Sequence, residues 1–339
     1  MVKQQADGRR SPQNESETSN SKDGYVVGAD IGGTNLRLAL ADKTGTILAR
    51  WSTSTVGIRS STKVIDLIRE GVNTLLQGTS IPRSALIAIA AGAPGITDAN
   101  QGIVIATSYL MGWRDVPLRA LLEEALGLPA AIDNDVNLAA MGEHHAGTAQ
   151  DIDDFVFIAI GTGVGAGIML NGQILRGSAW TAGEIGYMLV PGVSEAPVEH
   201  GQPGALESIV GGEGIRTQWQ NRWSKNATPL PQNLSATQIL DQALKDDPLA
   251  LEVLQLSART LAYAIYNLAL VLNCPLFVLG GAVGLHPALG EATQKLLNQR
   301  NTQVQPQIAR STLGSEAQLI GAISLAIHTA KARHPISQS

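Results

Sequence analysis

A chain of 339 residues, 44% of them hydrophobic, is long enough to form two domains around sizeable cores. Its 24 Lys and Arg against 29 Asp and Glu give a formal charge of −5 without a long basic run, which argues against a dedicated nucleic-acid-binding protein. The single cysteine, Cys274, excludes internal disulfides and zinc sites built from several cysteines. We expect a cytoplasmic protein, because the first 24 residues contain no apolar segment of the kind that a secretory signal needs.

The N-terminal region and one apolar stretch differ from the rest in composition. Residues 1–24 contain almost no apolar side chains, which predicts a disordered polar tail. No charged residue occurs between Arg259 and Glu291, so this stretch resembles a membrane-spanning segment. Pro275 and the glycine pair at 280–281 interrupt it, however, which favours a buried helix followed by a buried strand. We therefore expect no association with a membrane.

From residue 25 onward, apolar runs predict alternating strands and helices. In the first part of the chain, strands are predicted over 25–31, 35–41, 45–51, 85–91 and 129–133, and helices over 61–77, 116–126 and 136–145. Further on, strands are predicted over 154–160, 164–170, 173–177 and 275–281, and helices over 248–273 and 316–332. This alternation predicts an α/β protein whose parallel or mixed sheet is covered by helices on both faces. Both parts begin with a strand, a turn of Gly and Thr, and a second strand, which suggests a duplicated architecture.

Four glycine-rich segments are candidates for contact with phosphate groups, at residues 30–35, 161–165, 182–186 and 280–284. Glycine lets backbone N–H groups approach phosphate oxygens closely, and a threonine hydroxyl in the first two segments adds a donor. Each segment taken alone is equally well explained as an ordinary turn. They form neither a Walker loop nor a dinucleotide-binding G-x-G-x-x-G motif, because the first two join strand to strand.

Several motifs occur together in an order that is more specific than any one of them. DIGGTN at 30–35, IDNDVNLAAMGE at 132–143, GTGVGAGI at 161–168 and AGEIGYM at 182–188 resemble the ROK (repressor, open reading frame, kinase) family. The resemblance covers about residues 25–333 and implies the duplicated ribonuclease-H-like fold of actin and hexokinase, with a cleft between two domains.

The family resemblance also predicts domain limits, cofactors and partners. We expect a smaller domain formed by residues 25–134 plus 318–333, and a larger one formed by 135–317. The resemblance implies phosphorylation of a hexose hydroxyl by ATP with Mg²⁺. A hexose and ATP are thus the expected ligands, nucleic acid is not expected as a partner, and the chain is expected to form a homodimer.

The resemblance assigns Asp135 as the general base and Asn134 as a contact of the hexose hydroxyls. Independent chemistry agrees, because phosphoryl transfer needs one carboxylate to accept the proton of the attacking hydroxyl. Asp135 comes where a predicted strand meets a helix N-terminus, which we expect to keep its carboxylate ionised. The alternative is that Asp133, Asn134 or Asp135 only caps the helix, and capping by one of the three is expected in any case.

The family also implies which residues hold the nucleotide and its metal. Asp30 follows a buried strand, where a carboxylate needs a cation or donors, and it matches the family position that holds Mg²⁺ through water. The residues that match the two phosphate loops and the adenosine end of the site are Gly32, Gly33, Thr34 and Asn35, then Gly161, Thr162 and Gly163, and finally Gly280 and Gly281. Gly165 and Gly284 are interpreted as turn residues only.

Two glutamates and one turn match the sugar-binding residues of the family. Glu184 and Glu207 match residues that bind hydroxyls of the sugar ring, a role that suits carboxylates because each accepts several hydrogen bonds. The alternative for each is a plain surface carboxylate. Pro94 and Gly95 match a turn on the sugar side.

The chain departs from the family where most members bind a structural zinc ion. Tyr187 stands where the usual histidine would be, and the aligned run at 198–207 keeps its final Leu-Glu but contains no cysteine. The zinc set would fall on Tyr187, Val198, His200 and Ala205, which leaves one competent ligand, so we expect no zinc. Because the usual histidine also contacts the sugar, Tyr187 is predicted at the sugar, and the identity of the hexose is less determined than kinase activity.

GGTNLR at 32–37 resembles glucokinases in particular, so the predicted reaction is phosphorylation of glucose to glucose 6-phosphate. Kinases for N-acetylhexosamines or fructose share most of these motifs and stay open as alternatives. A sugar-binding ROK regulator without kinase activity is another, although about two dozen polar residues before the first strand are too few for a helix-turn-helix domain. An actin-like ATPase would turn over ATP independently of sugar.

Overall fold

The computed structural model describes residues 24–333 except 108, 109, 111, 194–201, 301 and 302. All but the last residue of the predicted disordered tail therefore lies outside the described residues. Within them, the chain forms two five-stranded sheets and one three-stranded sheet. None of the helices in these ranges combines the length and the apolar character needed to cross a bilayer.

Strands dominate the first half of the described chain. They are β1 (Tyr25–Ile31), β2 (Asn35–Asp42), β3 (Ile47–Ser54), β4 (Leu86–Ala93), β5 (Ile96–Asp98), β6 (Ile103–Ala106), β7 (Arg114–Val116) and β8 (Ala130–Asn134). The helices are α1 (Ser61–Thr79), α2 (Leu118–Leu126) and α3 (Asp135–Ala146). Helix α1 forms because apolar residues recur every three or four positions, and its buried face includes Val64, Ile68, Val72 and Leu75.

The first sheet has the strand order β3-β2-β1-β4-β8. Strands β1 to β3 form an antiparallel meander, whereas β1, β4 and β8 run parallel. Their register places Asp30 beside Gly92, and Gly92 beside Asp133. The three parallel strands therefore end at one edge of the sheet, and the segments that follow them meet there.

The second half contains more helix. Its strands are β9 (Phe155–Ile160), β10 (Val164–Leu170), β11 (Gln173–Ile174), β12 (Leu276–Gly280) and β13 (Gln307–Arg310). Its helices are α4 (Glu207–Val210), α5 (Gly212–Arg222), α6 (Ala236–Ala243), α7 (Pro248–Leu272), α8 (Gly281–Gly284), α9 (Pro287–Asn298) and α10 (Ala317–Arg333).

The second sheet repeats the order of the first, as β11-β10-β9-β12-β13. Strands β9 to β11 are again an antiparallel meander, and β9, β12 and β13 run parallel. The register pairs Ala159 with Gly280, so the glycine turns after β9 and β12 adjoin. The predicted duplication of architecture is confirmed by this identical strand order.

Helices α3 and α10 pack together between the two sheets. Helix α10 lies against β1, where a Cβ atom on Gly28 would come 2.8 Å from Cγ1 of Ile323. Helix α3 lies against β10, where a Cβ atom on Gly167 would come 2.7 Å from Cβ of Ala140. Glycine in these strands thus allows both helices to approach closely, and α3 links the two halves of the molecule.

Some elements differ from the sequence-based predictions. Strands β5 to β7 are only three or four residues long, too short for the alternation of apolar and polar residues to identify them. Helices α5, α6 and α9 were likewise not predicted. Strand β11 ends at Ile174 instead of continuing to 177, and Arg176 beyond it forms an ion pair with Asp133.

Candidate functional site

The carboxyl edge of the first sheet brings together the residues predicted to act on the sugar and the metal. Asp30 is the last residue but one of β1, Pro94 and Gly95 follow β4, and Asn134 ends β8 just before Asp135 opens α3. Gly95 has a φ of 101°, and a Cβ atom there would overlap the carbonyl oxygen of Ala106. Only glycine fits this turn, which explains the residue type at this position.

Asn134 is the residue that caps helix α3. Its Oδ1 accepts hydrogen bonds from the backbone N–H groups of Val136, at 2.8 Å, and of Asn137, at 3.1 Å. Its Nδ2 donates to the carbonyl oxygen of Gly95 at 2.9 Å, which ties the end of β8 to the turn after β4. The capping alternative thus applies chiefly to Asn134, whose second Nδ2 hydrogen is left for a ligand.

Asp135 differs from the expectation that the helix N-terminus keeps it ionised. Asp135 is half-buried. This burial, followed by the negative charge of Asp30, raises the pKa of Asp135 to about 7, and the charge of Glu184 adds to the effect. The N–H group of Val136, 3.0 Å from Oδ1, acts in the opposite direction but is outweighed. The expectation is therefore corrected: with a pKa of about 7, this carboxyl is only partly ionised near neutral pH.

Asp30 is held by an arginine that the sequence analysis did not consider. Nε and Nη2 of Arg37 donate to Oδ2 of Asp30 at 2.9 and 2.7 Å, and Nη1 lies 3.5 Å from Glu316. Burial is the largest influence on Asp30 and raises its pKa, although Arg37 opposes it. Arg37 contacts only Oδ2, so Oδ1 faces no donor from that guanidinium and suits a water ligand of Mg²⁺.

The described residues contain no group of three or more His, Cys, Asp or Glu side chains that could hold a metal ion on its own. A Mg²⁺ ion fits this arrangement when phosphate oxygens supply most of its ligands and Asp30 acts through water. The predicted absence of zinc stays a prediction, because Val198 and His200 lie outside the described residues.

Glu184, Glu207 and Tyr187 form the other side of the predicted sugar site. Burial and the nearby charge of Glu207 raise the pKa of Glu184, and partial burial and both glutamates raise the pKa of Tyr187. These influences place the three groups near one another. Oε2 of Glu207 accepts a hydrogen bond of 2.7 Å from the N–H of Val164, and both glutamates are half-buried. Neither is the plain surface carboxylate of the alternative interpretation, whereas Tyr187 is 50% exposed.

The first predicted phosphate loop is a tight turn between β1 and β2. The N–H of Gly32 donates to the carbonyl of Asn35 at 2.8 Å, and the buried Thr55 forms two hydrogen bonds with the turn. Thr55 donates through Oγ1 to Gly32 at 2.8 Å and through N–H to Thr34 at 2.9 Å. Gly33, Thr34 and Asn35 are exposed, as a loop that meets a ligand requires.

The second predicted phosphate loop lies next to two other glycine turns. The N–H of Gly161 donates to Gly163 at 3.0 Å, while the carbonyl of Gly161 accepts from Gly212 at 2.8 Å. Gly281 has a φ of 76°, and a Cβ atom there would lie 3.0 Å from the backbone nitrogen of Gly161. By contrast, the space around Gly161 on the side of a Cβ atom is open. Thr162, between these glycines, is exposed.

Three contributors to the site were not predicted. Gly212 opens helix α5 beside Gly161, and the sequence signal was the glycine-rich run at 211–214. Arg37 pairs with Asp30 across the predicted hairpin of β1 and β2, whereas nothing local in the sequence marks the pair of Arg176 with Asp133. For Gly280, the structure offers a packing reason, because a Cβ atom there would overlap the ring of Phe157. Gly165 lies within β10 and Gly284 ends α8, so neither is a simple turn residue.

Comparison with known proteins places this site in a family context. A sequence model of the ROK family matches residues 26–329. A glucokinase from Halalkalibacterium halodurans is 33% identical over 313 residues, which are 88% of this chain and 94% of the relative. An N-acetylmannosamine kinase from Citrobacter koseri is 30% identical over 302 residues, which are 89% of this chain and 98% of the relative.

A solved structure resembles most of the chain. The crystal structure of a ROK family glucokinase from Streptomyces griseus, in complex with glucose and AMPPNP, superposes with a TM-score of 0.72 at 26% identity. The match covers 90% of this chain and 100% of the other. The predicted duplicated fold of the hexokinase type is thereby confirmed.

Proposed function

Since this chain belongs to the ROK family, we propose that it is an ATP-dependent kinase that phosphorylates glucose to glucose 6-phosphate. The observation that carries the proposal is the position of Asp135. It is a carboxylate at the start of helix α3, with a pKa raised to about 7 by burial and by the nearby charges of Asp30 and Glu184. Such a group can take the proton of an attacking hydroxyl.

In the proposed reaction, Glu184, Glu207 and Asn134 hold hydroxyls of the hexose, and Asp135 accepts the proton of the attacking one. The bond from this oxygen to the γ-phosphorus forms while the bond to the β–γ bridging oxygen breaks, and ADP leaves. Backbone N–H groups of the two glycine turns hold the phosphates. When bound with the nucleotide near Asp30, Mg²⁺ supplies positive charge against the phosphate oxygens.

Phosphorylation of N-acetylmannosamine is the second candidate. The relative from Citrobacter koseri carries that activity in its name and matches 89% of this chain, against 88% for the glucokinase. Tyr187 also departs from the family at the sugar site, which leaves the contacts of the hexose open to change. Glucose is preferred because the glucokinase relative is the more similar and GGTNLR at 32–37 resembles that group.

The experiment is a coupled assay of ADP release with glucose, mannose, fructose, N-acetylmannosamine, N-acetylglucosamine and no sugar. We expect glucose to give the highest kcat/KM, and product analysis to identify glucose 6-phosphate. A higher value with N-acetylmannosamine would select the second candidate. ADP release that is equal with and without sugar would indicate an ATPase, and sugar binding by calorimetry without ADP release would indicate a regulator.

A further inference from the structure

A buried ion pair lies directly behind the proposed base. Asp133 precedes Asn134 in β8 and is completely buried, whereas Arg176 follows β11 in the other half of the molecule. Nε of Arg176 donates to Oδ2 of Asp133 at 2.9 Å, and Nη2 donates to the same oxygen at 2.6 Å. The pair thus joins the strand that ends at the catalytic carboxylate to the opposite sheet.

The second oxygen of Asp133 is bonded just as fully. Oδ1 accepts from the backbone N–H of Asn134 at 2.8 Å and from Nδ2 of Asn137 at 2.9 Å. Two of the four hydrogen bonds to this carboxylate therefore go to groups that determine where β8 ends and α3 begins. Asp135 lies between Asn134 and Asn137 in the chain, so its position depends on both of these hydrogen bonds.

Arg176 also closes the segment that leads to Glu184. Its carbonyl oxygen accepts from the N–H of Ala182 at 3.3 Å, and the carbonyl of Gly183 accepts from the N–H of Ala166 at 2.8 Å. The segment 177–182 is thus a loop whose two ends meet at Arg176. Arg176 therefore connects the backbone that precedes Asp135 with the backbone that precedes Glu184.

A buried ion pair is weak grounds for expecting stability, because desolvation of both charges offsets their attraction. Apolar residues of similar volume often serve stability as well or better. A charged pair at this place instead fits a geometric task, since two converging N–H groups of a planar guanidinium fix direction as well as distance.

We infer that Arg176 is a positioning residue for phosphoryl transfer. Through Asp133 it fixes the backbone that carries Asn134 and Asp135, and through its own carbonyl it fixes the loop that leads to Glu184. The inference rests on the proposed function, which gives Asp135 and Glu184 their roles. The glycine turns of the nucleotide site make none of the hydrogen bonds described for the pair, so its loss acts on the sugar side of the reaction.

The kinetic test compares Arg176→Met, Arg176→Lys, Asp133→Asn and the Asp133→Asn/Arg176→Met double variant with wild type. For Arg176→Met, kcat/KM for the hexose is expected to fall about 100-fold, as displacement of a catalytic group by about 1 Å does. The KM for ATP is expected to stay within about twofold of wild type, because the nucleotide site is untouched. Arg176→Lys keeps the charge and one donor and should recover part of the loss.

The double variant and a matched control separate positioning from general destabilisation. Because the two residues act as a unit, the double variant should lose no more activity than the worse single variant. Arg69→Met is the control, since Arg69 pairs with Asp66 on the exposed face of α1, and wild-type kinetics are expected there. Wild-type kcat/KM for the hexose in Arg176→Met, or a KM for ATP raised well beyond twofold, would overturn the inference.

Hydrogen–deuterium exchange of peptides that span 133–140 tests the same inference without any turnover. Loss of Arg176 should speed exchange at the N–H groups of Val136 and Asn137, while Arg69→Met leaves them protected. If wild type phosphorylates no sugar, the proposed function fails, yet exchange still decides whether Arg176 fixes this turn. Unchanged protection in both Arg176→Met and Arg176→Lys would refute the positioning role.

Discussion

The two sheets share one topology but use equivalent positions differently. One residue before the last pair of the first hairpin, Asp30 lies opposite Arg37, and the two side chains form an ion pair. At the equivalent place in the second hairpin, Ala159 lies opposite Gly165. The first hairpin therefore carries a charged pair at this position, whereas the second carries only small residues, beside helix α3.

This difference shows how a duplicated frame produces a single active site. A Cβ atom on Gly165 would come 3.4 Å from Cγ2 of Val136, so α3 lies directly on the second hairpin. Helix α3, which begins with Asp135, thus packs on the second sheet, while Asp135 itself follows a strand at the edge of the first sheet. The five predictions below alter each side of the comparison in turn.

Replacing the base should have the largest effect. Asp135→Asn is expected to lower kcat by at least about 100-fold, the usual worth of general-base catalysis, with sugar affinity retained. Steady-state kinetics measure the first quantity and calorimetry the second. A loss of only a few-fold would remove Asp135 from the role of base.

The same variant should be more stable than wild type at alkaline pH. The pKa of Asp135 is raised in the folded protein, so its ionised form costs stability that the unfolded chain does not lose. This cost is absent below the unfolded pKa, grows as pH rises toward 7 and is complete above it. The melting temperature of Asp135→Asn should exceed that of wild type at pH 8, and the gap should close toward pH 4.

The pH dependence of the wild-type reaction follows from the same carboxylate. Asp135 acts as a base only when ionised, and its pKa is about 7. If bound substrates leave this pKa unchanged, kcat should fall about tenfold from its plateau when the pH is lowered to one unit below the pKa. The pH dependence of kcat for the wild-type enzyme measures this fall. A profile that is flat from pH 5 to 8 would contradict the assignment of Asp135 as the base.

On the packing side of the comparison, Gly167→Ala should destabilise the fold. The added methyl group would lie 2.7 Å from both Cβ of Ala140 and the carbonyl oxygen of Val136, so α3 must move. Overpacking of this kind costs about 1–3 kcal/mol. Gly165→Ala is the matched control, because its methyl group finds ordinary contact with Val136. Denaturant unfolding should show a lower free energy of unfolding for Gly167→Ala than for Gly165→Ala. Equal values would show that α3 shifts at little cost.

On the ligand side of the second hairpin, Gly161→Ala should leave folding unchanged and weaken nucleotide binding. A Cβ atom at this position meets no other group, so the melting temperature should match wild type. If phosphate approaches the turn here, the KM for ATP should rise roughly fivefold, which corresponds to about 1 kcal/mol of lost hydrogen bonding. An unchanged KM would mean that phosphate does not approach this face of the turn.

Local sequence patterns account for most of the frame. Apolar runs in β1, β4, β8, β9 and β12 and the helical spacing in α1 and α7 were sufficient to predict those elements, because strand and helix periods depend on neighbouring residues. The glycine turns after β1 and β9 were recognisable for the same reason. The short strands β5 to β7 were not recognisable, since three or four residues carry too little pattern.

The chain's own sequence thus determined the strands, the helices and the residues at their ends, including Asp30 and Asp135. Tertiary structure decided which of them interact. Arg176 reaches Asp133 across 43 positions, an ion pair that no local pattern encodes. The sequence predicted an ionised Asp135 from the helix N-terminus alone, but burial and the charge of Asp30 raise its pKa to about 7. Burial and charge proximity arise only when distant segments pack, and they outweigh a local dipole.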